Sequence, residues 1–106
     1  MKIEEFEHKI IKVFKTNEKK YVTVKEISKL INVNEKKYNR LIRRIIQNIV
    51  NNQKLLIGSC SKGFFIIETQ DDYNVSINKL LKIRDGIDKR INNLETSWTV
   101  KRLMDL

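Results

Sequence analysis

The stretch that decides the fold runs from residue 34 to residue 52 and reads NEKKYNRLIRRIIQNIVNN. Its apolar side chains recur at steps of three and four residues, which is the spacing of one face of an α-helix: Tyr38, Leu41, Ile42, Ile45, Ile46, Ile49 and Val50. The opposite face holds Lys36, Lys37, Asn39, Arg40, Arg43, Arg44, Gln47 and Asn48. Asn34 is a suitable N-cap, and Glu35 suits the positive end of the helix dipole. The stretch predicts a helix with one buried face and one basic face.

The basic face has the chemistry of nucleic-acid recognition. Lys and Arg neutralise phosphates, whereas Asn, Gln and Arg can pair with base edges. The chain carries a net charge of +9, and residues 21–54 hold +6 of it, from eight cations and two acids. A localised basic face favours a polyanionic partner. We expect this helix to lie in the major groove of DNA; the alternative is the solvated surface of an ordinary basic protein.

Length and composition bound the class of protein. A chain of 106 residues is one domain, or a small domain with an appendage, and a hydrophobic fraction of 41% argues against disorder. The sequence has no run of about 18 apolar residues and no apolar stretch after its acidic N-terminus, so neither a membrane span nor a signal peptide is expected. A single cysteine, Cys60, excludes an internal disulfide and fits the cytoplasm.

Two more helices are predicted before the basic one. An apolar stripe predicts a first helix over residues 3–16, built on Ile3, Phe6, Ile10, Val13 and Phe14. Tyr21-Val22 suits a short extended segment. Thr23 and Glu26 have the spacing of a capping box, in which each side chain meets the other residue's backbone N–H. The second helix should then end near Leu30 or Ile31, with Val24, Ile27, Leu30 and Ile31 inward and residues 32–34 as a turn.

After the basic helix the pattern becomes extended. Residues 54–60 (KLLIGSC) and 64–69 (FFIIET) are rich in β-formers, and residues 61–63 between them supply turn chemistry. Gly63 is free to adopt a positive φ there. The stretch predicts a β-hairpin with Lys62 at its tip, and the fold class is therefore α+β, mostly α.

A long final helix should begin at residues 70–72. A heptad seam of about three repeats follows, made of Ile77, Leu80, Arg84, Ile87, Ile91, Leu94 and Trp98. Arg84 interrupts the apolar character of the seam. We interpret the seam as a dimerisation surface; packing on the rest of the chain is the alternative, and Leu81 and Ile83 are expected to pack that way. Only partial order is expected after Glu95.

The order of elements resembles a winged helix domain over residues 3–69. The resemblance rests on T-V-K-E at 23–26, N-V-N at 32–34, the basic helix and the hairpin LLIGSCSKGFFIIET. The whole chain is similar to small winged helix-turn-helix proteins of bacteriophages and other mobile elements. In these, a K-G-aromatic-aromatic hairpin (residues 62–65 here) precedes a helix with spaced arginines, here Arg84 and Arg90.

The resemblance implies a division into a winged helix domain at 1–69 and a dimerising C-terminal helix at 70–106. It implies double-stranded DNA as partner and a role as transcriptional regulator or as accessory factor in phage replication or packaging. The implied third-helix contacts are Lys36, Lys37, Asn39, Arg40, Arg43, Arg44 and Gln47. Lys62 would contact DNA from the wing, and Lys25 and Ser28 would touch phosphate from the second helix.

No catalytic constellation is visible in the sequence. There is no P-loop, no dinucleotide-binding glycine motif and no cluster of metal ligands, and His8 and Cys60 stand apart from chemical partners. We therefore expect no enzyme activity, cofactor, metal site, small-molecule substrate or membrane partner. The alternative to DNA binding is a protein-interaction module, an inhibitor or adaptor that uses the same fold.

Overall fold

The computed structural model describes residues 2–105, and it confirms a mostly helical chain with a small antiparallel sheet and a long last helix. The elements, in chain order, are α1 (Ile3–Thr16), α2 (Val24–Leu30), α3 (Glu35–Asn51), β1 (Ile57–Cys60), β2 (Gly63–Ile66) and α4 (Gln70–Met104).

The first three helices enclose the core. The inner face of α3 is the predicted one, with Ile42, Ile45, Ile46 and Ile49 buried. From α1 come Phe6, Ile10, Val13 and Phe14. Two predictions about the apolar faces are wrong: Ile3 is 61% exposed and Leu30 is 62% exposed, because each lies at the end of its helix, beyond the packed region.

Polar residues set the helix ends. Thr23 Oγ1 accepts a hydrogen bond from the Glu26 backbone N–H at 3.2 Å, as a capping residue does. This bond confirms one half of the predicted capping box. In the other half, the Glu26 carboxylate accepts a hydrogen bond from the Thr23 hydroxyl at 3.3 Å instead of from the Thr23 backbone N–H. Asn34 caps α3 by accepting from the Lys37 N–H at 2.9 Å. Asn32 has φ 60°, the left-handed conformation that ends α2 in a sharp turn.

The hairpin is confirmed, with a two-residue turn at Ser61-Lys62. Cys60 pairs with Gly63, and Gly63 has a φ of 129°. A Cβ at that glycine would lie 2.7 Å from the Val22 carbonyl oxygen. The close approach lets Val22 pair with Phe64 through two backbone hydrogen bonds of 2.8 Å, so the predicted extended segment is present and joins the sheet as a single bridge.

The start of α4 packs on the hairpin. Gly58 makes this possible, because a Cβ there would lie 2.0 Å from Ser76 Oγ. Ser76 is buried and Leu81 half-buried, so the packed region extends past the predicted boundary at residue 69. We call residues 3–81 the head.

The remaining residues, 82–105, form the tail, and all of them are exposed. The tail makes the molecule elongated, with extents of 63 × 34 × 23 Å. Two predictions fail here. The helix continues to Met104 and is not partly ordered after Glu95. Ile83 is 51% exposed and does not pack on the head, because α4 has already left it.

Candidate nucleic-acid interface

The outer face of α3 is a basic surface open to solvent. Its exposed members are Lys36, Lys37, Arg40, Arg43, Arg44, Gln47 and Asn48, and Asn39 is half-buried. Because Glu35 is the only acid in α3 and stands in its first turn, no carboxylate offsets the charge along the rest of this surface.

The spacing of these residues divides the surface into two rows. A helix turns about 100° per residue, so residues three, four, seven and eleven apart share one row. One row, the hairpin row, contains Lys36, Asn39, Arg40, Arg43 and Gln47. The other contains Lys37, Arg44 and Asn48 on the far flank. Helical spacing thus places five of the predicted residues in one row, and within that row Arg43 is hydrogen-bonded to Asn39.

Arg43 joins the hairpin row to the hairpin. Its Nε donates a hydrogen bond to Asn39 Oδ1 at 3.0 Å. Its guanidinium carbon lies 5.8 Å from the centre of the Phe64 ring, within the range of a cation–π contact. The Arg43 side chain is therefore held in place from two sides, by its own helix and by β2.

A cleft of about 250 Å³ opens beside Arg43. It lies between α3, the hairpin, the start of α2 and α4, and its lining includes Arg43, Ser59, Ser61 and Lys79. Lys79 Nζ donates to Ser59 Oγ at 3.2 Å. The cations of Arg43 and Lys79 and the hydroxyls of Ser59 and Ser61 around one small cleft are suited to an anionic oxygen group such as a phosphate.

Lys79 is a residue that the sequence reasoning missed. Its heptad position is off the seam, and nothing in the sequence shows that the first turns of α4 return to the hairpin. Gly58 is the signal that was available, since an isolated glycine in a strand pattern often marks a close approach. That approach brings α4, and with it Lys79, to the cleft.

The other predicted DNA contacts, which lie outside α3, differ in their exposure to solvent. Lys62 is exposed at the hairpin tip, with Nζ 5.3 Å from the centre of the Tyr21 ring. Lys25 is exposed on α2. Ser28 is 1% exposed, and its hydroxyl donates to the Val24 carbonyl oxygen at 2.8 Å. The predicted phosphate contact of Ser28 is therefore wrong, because its side chain lies inside the head and its hydroxyl proton is already used.

An ion pair joins the start of α4, about two turns before Lys79, to the loop after α1. Lys20 Nζ lies 2.7 Å from Asp72 Oδ1, and Asp72 Oδ2 accepts from the Glu68 N–H at 3.1 Å. The hydrogen bond from Lys20 is the main cause that holds the pKa of Asp72 below its ordinary value, followed by the Glu68 N–H. The same bond raises the pKa of Lys20. These pKa shifts favour the charged form of each group, and the ion pair between them links the loop after α1 to the last helix.

The seam residues are not part of this surface. Ile77 is half-buried against the head, and Arg84 is exposed. The apolar members beyond Ile77 are between 48% and 63% exposed, namely Leu80, Ile87, Ile91, Leu94 and Trp98. In the described part of the chain they have no intrachain cover.

Residues 2–105 were also searched for a metal-binding cluster and for a helix that could span a membrane. No group of three or more His, Cys, Asp or Glu in that range is placed to hold a metal ion. No helix within it is both long and apolar enough to cross a membrane.

A scan of family models, a search of curated proteins and a search of solved structures each returned no match to this chain.

Proposed function

We propose that the chain binds double-stranded DNA, with α3 in the major groove and the hairpin as a wing against the backbone. The observation that carries this proposal is the contact of Arg43 with Phe64, which makes the basic row of α3 and the hairpin one continuous surface. The order of elements, with Val22 bridging to β2, supports assignment of the head to the winged helix class.

The residues of this surface are proposed to have different roles in DNA binding. Arg43 is held at the cleft with Lys79, so both are assigned to a backbone phosphate. Lys36, Arg40 and Gln47 lie on the same row and are exposed, so they are assigned to base edges and neighbouring phosphates. Asn39 already accepts a hydrogen bond from Arg43 and is assigned to holding it. Specificity would then depend on Arg40 and Gln47 more than on Asn39.

Lys62 and Lys25 are assigned to the rim of the interface. Lys62 projects from the hairpin tip and Lys25 from α2, and each adds one exposed cation. Lys37 and Arg44 lie on the far flank of α3 and would contribute to the field more than to contacts. A small DNA-binding chain of this kind suits a transcriptional regulator or an accessory factor in phage replication or packaging.

The test is binding to a random 30-base-pair duplex, measured by fluorescence anisotropy at two salt concentrations. We expect binding that weakens steeply with salt, since each phosphate contact adds about 0.9 to the slope of log K against log salt. Replacing both Arg40 and Arg43 by Ala should weaken binding by several kcal/mol, because one good base contact is worth about 1–3 kcal/mol and a phosphate contact is lost as well.

The matched control removes the same charge from the tail. Lys89→Ala with Arg102→Ala also lowers the net charge by two, and both residues are exposed in the tail. The control should bind DNA nearly as the unaltered protein does, and circular dichroism should show that both variants are folded. Equal affinity of the two double variants would overturn the assignment of α3.

A further inference from the structure

The tail, together with Leu80 just before it, presents an apolar face that nothing in the described chain covers. Leu80, Ile87, Ile91, Leu94 and Trp98 follow one another at heptad spacing along about 27 Å of helix, at 1.5 Å per residue. Isolated helices are marginal in water and gain most of their stability from burying such a face. A second helix is therefore the element that this part of the molecule lacks.

We propose that the tail pairs in parallel with the tail of a second copy of this chain, as a two-stranded coiled coil. The heptad places Ile91 and Trp98 at position a, and Leu80, Ile87 and Leu94 at position d. Arg90 then falls at position g and Glu95 at the e position of the next heptad. In a parallel pair these two positions face each other, so Arg90 meets the partner's Glu95 twice, once on each side of the seam.

Antiparallel pairing places like charges together or loses part of the seam. If the seam overlaps fully, Ile91 lies opposite the partner's Ile87, which brings Asp88 towards the partner's Asp88 and Arg90 towards the partner's Arg90. If the pairing shifts by one heptad so that Ile91 lies opposite the partner's Leu94, Asp88 comes towards the partner's Glu95. A shift in the other direction moves Trp98 off the seam, opposite the partner's Tyr73 in the head. Because like charges oppose association and a shorter seam buries less apolar surface, these features favour the parallel arrangement.

Arg84 sets the register of the parallel pair. It occupies an a position, where a polar residue costs stability but fixes alignment. In register, the two Arg84 stems cover the seam while their guanidinium groups extend to water. A slip of one heptad would place each Arg84 against an isoleucine of the partner, Ile77 or Ile91. The register of the proposed dimer is therefore set by the unfavourable Arg84 layer and by the two favourable Arg90–Glu95 ion pairs.

The first experiment measures association of the whole chain without DNA, by sedimentation equilibrium. Ile87→Ala with Ile91→Ala should weaken dimerisation by at least about 100-fold, since each removes buried apolar atoms from the seam, and Ala keeps helix propensity high. Leu103→Ala is the matched control, because Leu103 is 66% exposed and lies off the seam. Arg84→Leu should tighten the dimer. A monomeric unaltered chain, or equal association of the seam and control variants, would overturn the proposal.

The second experiment tests orientation with single cysteines in a Cys60→Ser background. In a parallel dimer, Leu80→Cys and Leu94→Cys each lie opposite their own copies, and both should form an intermolecular disulfide. In an antiparallel dimer at most one of them can, because the two positions are about 21 Å apart along the helix. Cross-linking of only one variant, or of neither, would overturn the parallel arrangement.

A charge exchange tests the ion pairs. Arg90→Glu and Glu95→Arg, each alone, should weaken self-association because the facing positions then hold like charges. Mixed together, the two variants should form a heterodimer in which both facing pairs are again opposite. Absence of preferential heterodimers would contradict the pairing. None of these measurements uses DNA, so a dimer that binds no duplex would overturn only the proposed function, and a monomer that binds duplex would overturn only this inference.

Discussion

The head and the tail are built from similar sequence patterns but are covered differently. In α3 the four isoleucines at three- and four-residue spacing are buried, and Ile45 is 2% exposed. In the tail the same kind of spacing leaves Ile91 48% exposed. The comparison shows that periodicity predicts a helix and its apolar face but does not identify what covers that face. In the head the cover comes from α1, α2 and the hairpin, whereas in the tail no described residue of the chain covers the apolar face.

The largest expected effect is a difference in stability between Ala variants of these two isoleucines. Ile45→Ala should destabilise the head by about 2–5 kcal/mol, the usual cost of emptying a buried site. Ile91→Ala, at concentrations where the chain is monomeric, should change stability by less than about 0.5 kcal/mol, as exposed substitutions do. Urea unfolding at low protein concentration measures both. Similar costs for the two variants would show that the tail is covered within one chain.

The next effect concerns the contact that packs the start of α4 on the hairpin within the head. Gly58→Ala should cost about 1–3 kcal/mol, because its Cβ would overlap Ser76 Oγ and crowd the Phe65 ring. Adding Ser76→Ala removes the overlapping oxygen and should recover part of that loss, whereas Ser76→Ala alone should be mild. Thermal unfolding of the three variants makes the comparison. No recovery in the double variant would mean that the contact between α4 and β1 is not what limits substitution at Gly58.

A smaller effect should appear in DNA binding. Lys79→Ala should weaken binding to all duplexes alike and lower the salt slope by about 1, as loss of one phosphate contact does. Lys89→Ala, also on α4 but in the tail, is the matched control and should leave the slope unchanged. Anisotropy titrations over a range of salt concentrations give both slopes. If the two variants behave alike, Lys79 does not contact DNA and the cleft is only structural.

The smallest effect is a pH dependence at the start of α4. The pKa of Asp72 is lowered in the folded chain, so its ion pair stabilises the fold at pH values above the ordinary aspartate range and is lost as the pH falls through the lowered pKa. The raised pKa of Lys20 keeps the pair intact until the pH rises well above neutrality. Asp72→Asn should therefore reduce stability at pH 7 and flatten its decline in acid. Unfolding curves of both proteins from pH 2 to pH 7 measure this difference.

The head was largely predictable because its signals are local. Thr23 and Asn34 are capping residues at the starts of α2 and α3, Gly63 marks the turn, and the apolar spacing of α3 gives its buried face. The predictions that failed depend on contacts between distant segments. Ser28 is buried by the packing of α2, and Ile83 is exposed because α4 leaves the hairpin after Leu81.

The candidate site was predictable as a list of residues but not as a geometry. The basic face of α3 follows from spacing alone. Which of its two rows contacts the hairpin depends on where the hairpin lies, and the contribution of Lys79 depends on the angle of α4. Both are set by a few contacts between segments far apart in sequence, such as Gly58 with Ser76 and Lys20 with Asp72. Apart from the isolated Gly58, no local pattern indicates them.

The close approach at Gly58 has a consequence for how far apart two heads can stand. In a parallel pair of tails, the direction in which α4 leaves each head sets the distance between the two α3 helices. Two sites on one face of a DNA duplex are separated by about 34 Å or a multiple of it. In the proposed DNA-bound dimer, Gly58, Ser76 and Asp72 would together set which spacing of half-sites the protein can span, although none of them belongs to the proposed DNA contacts.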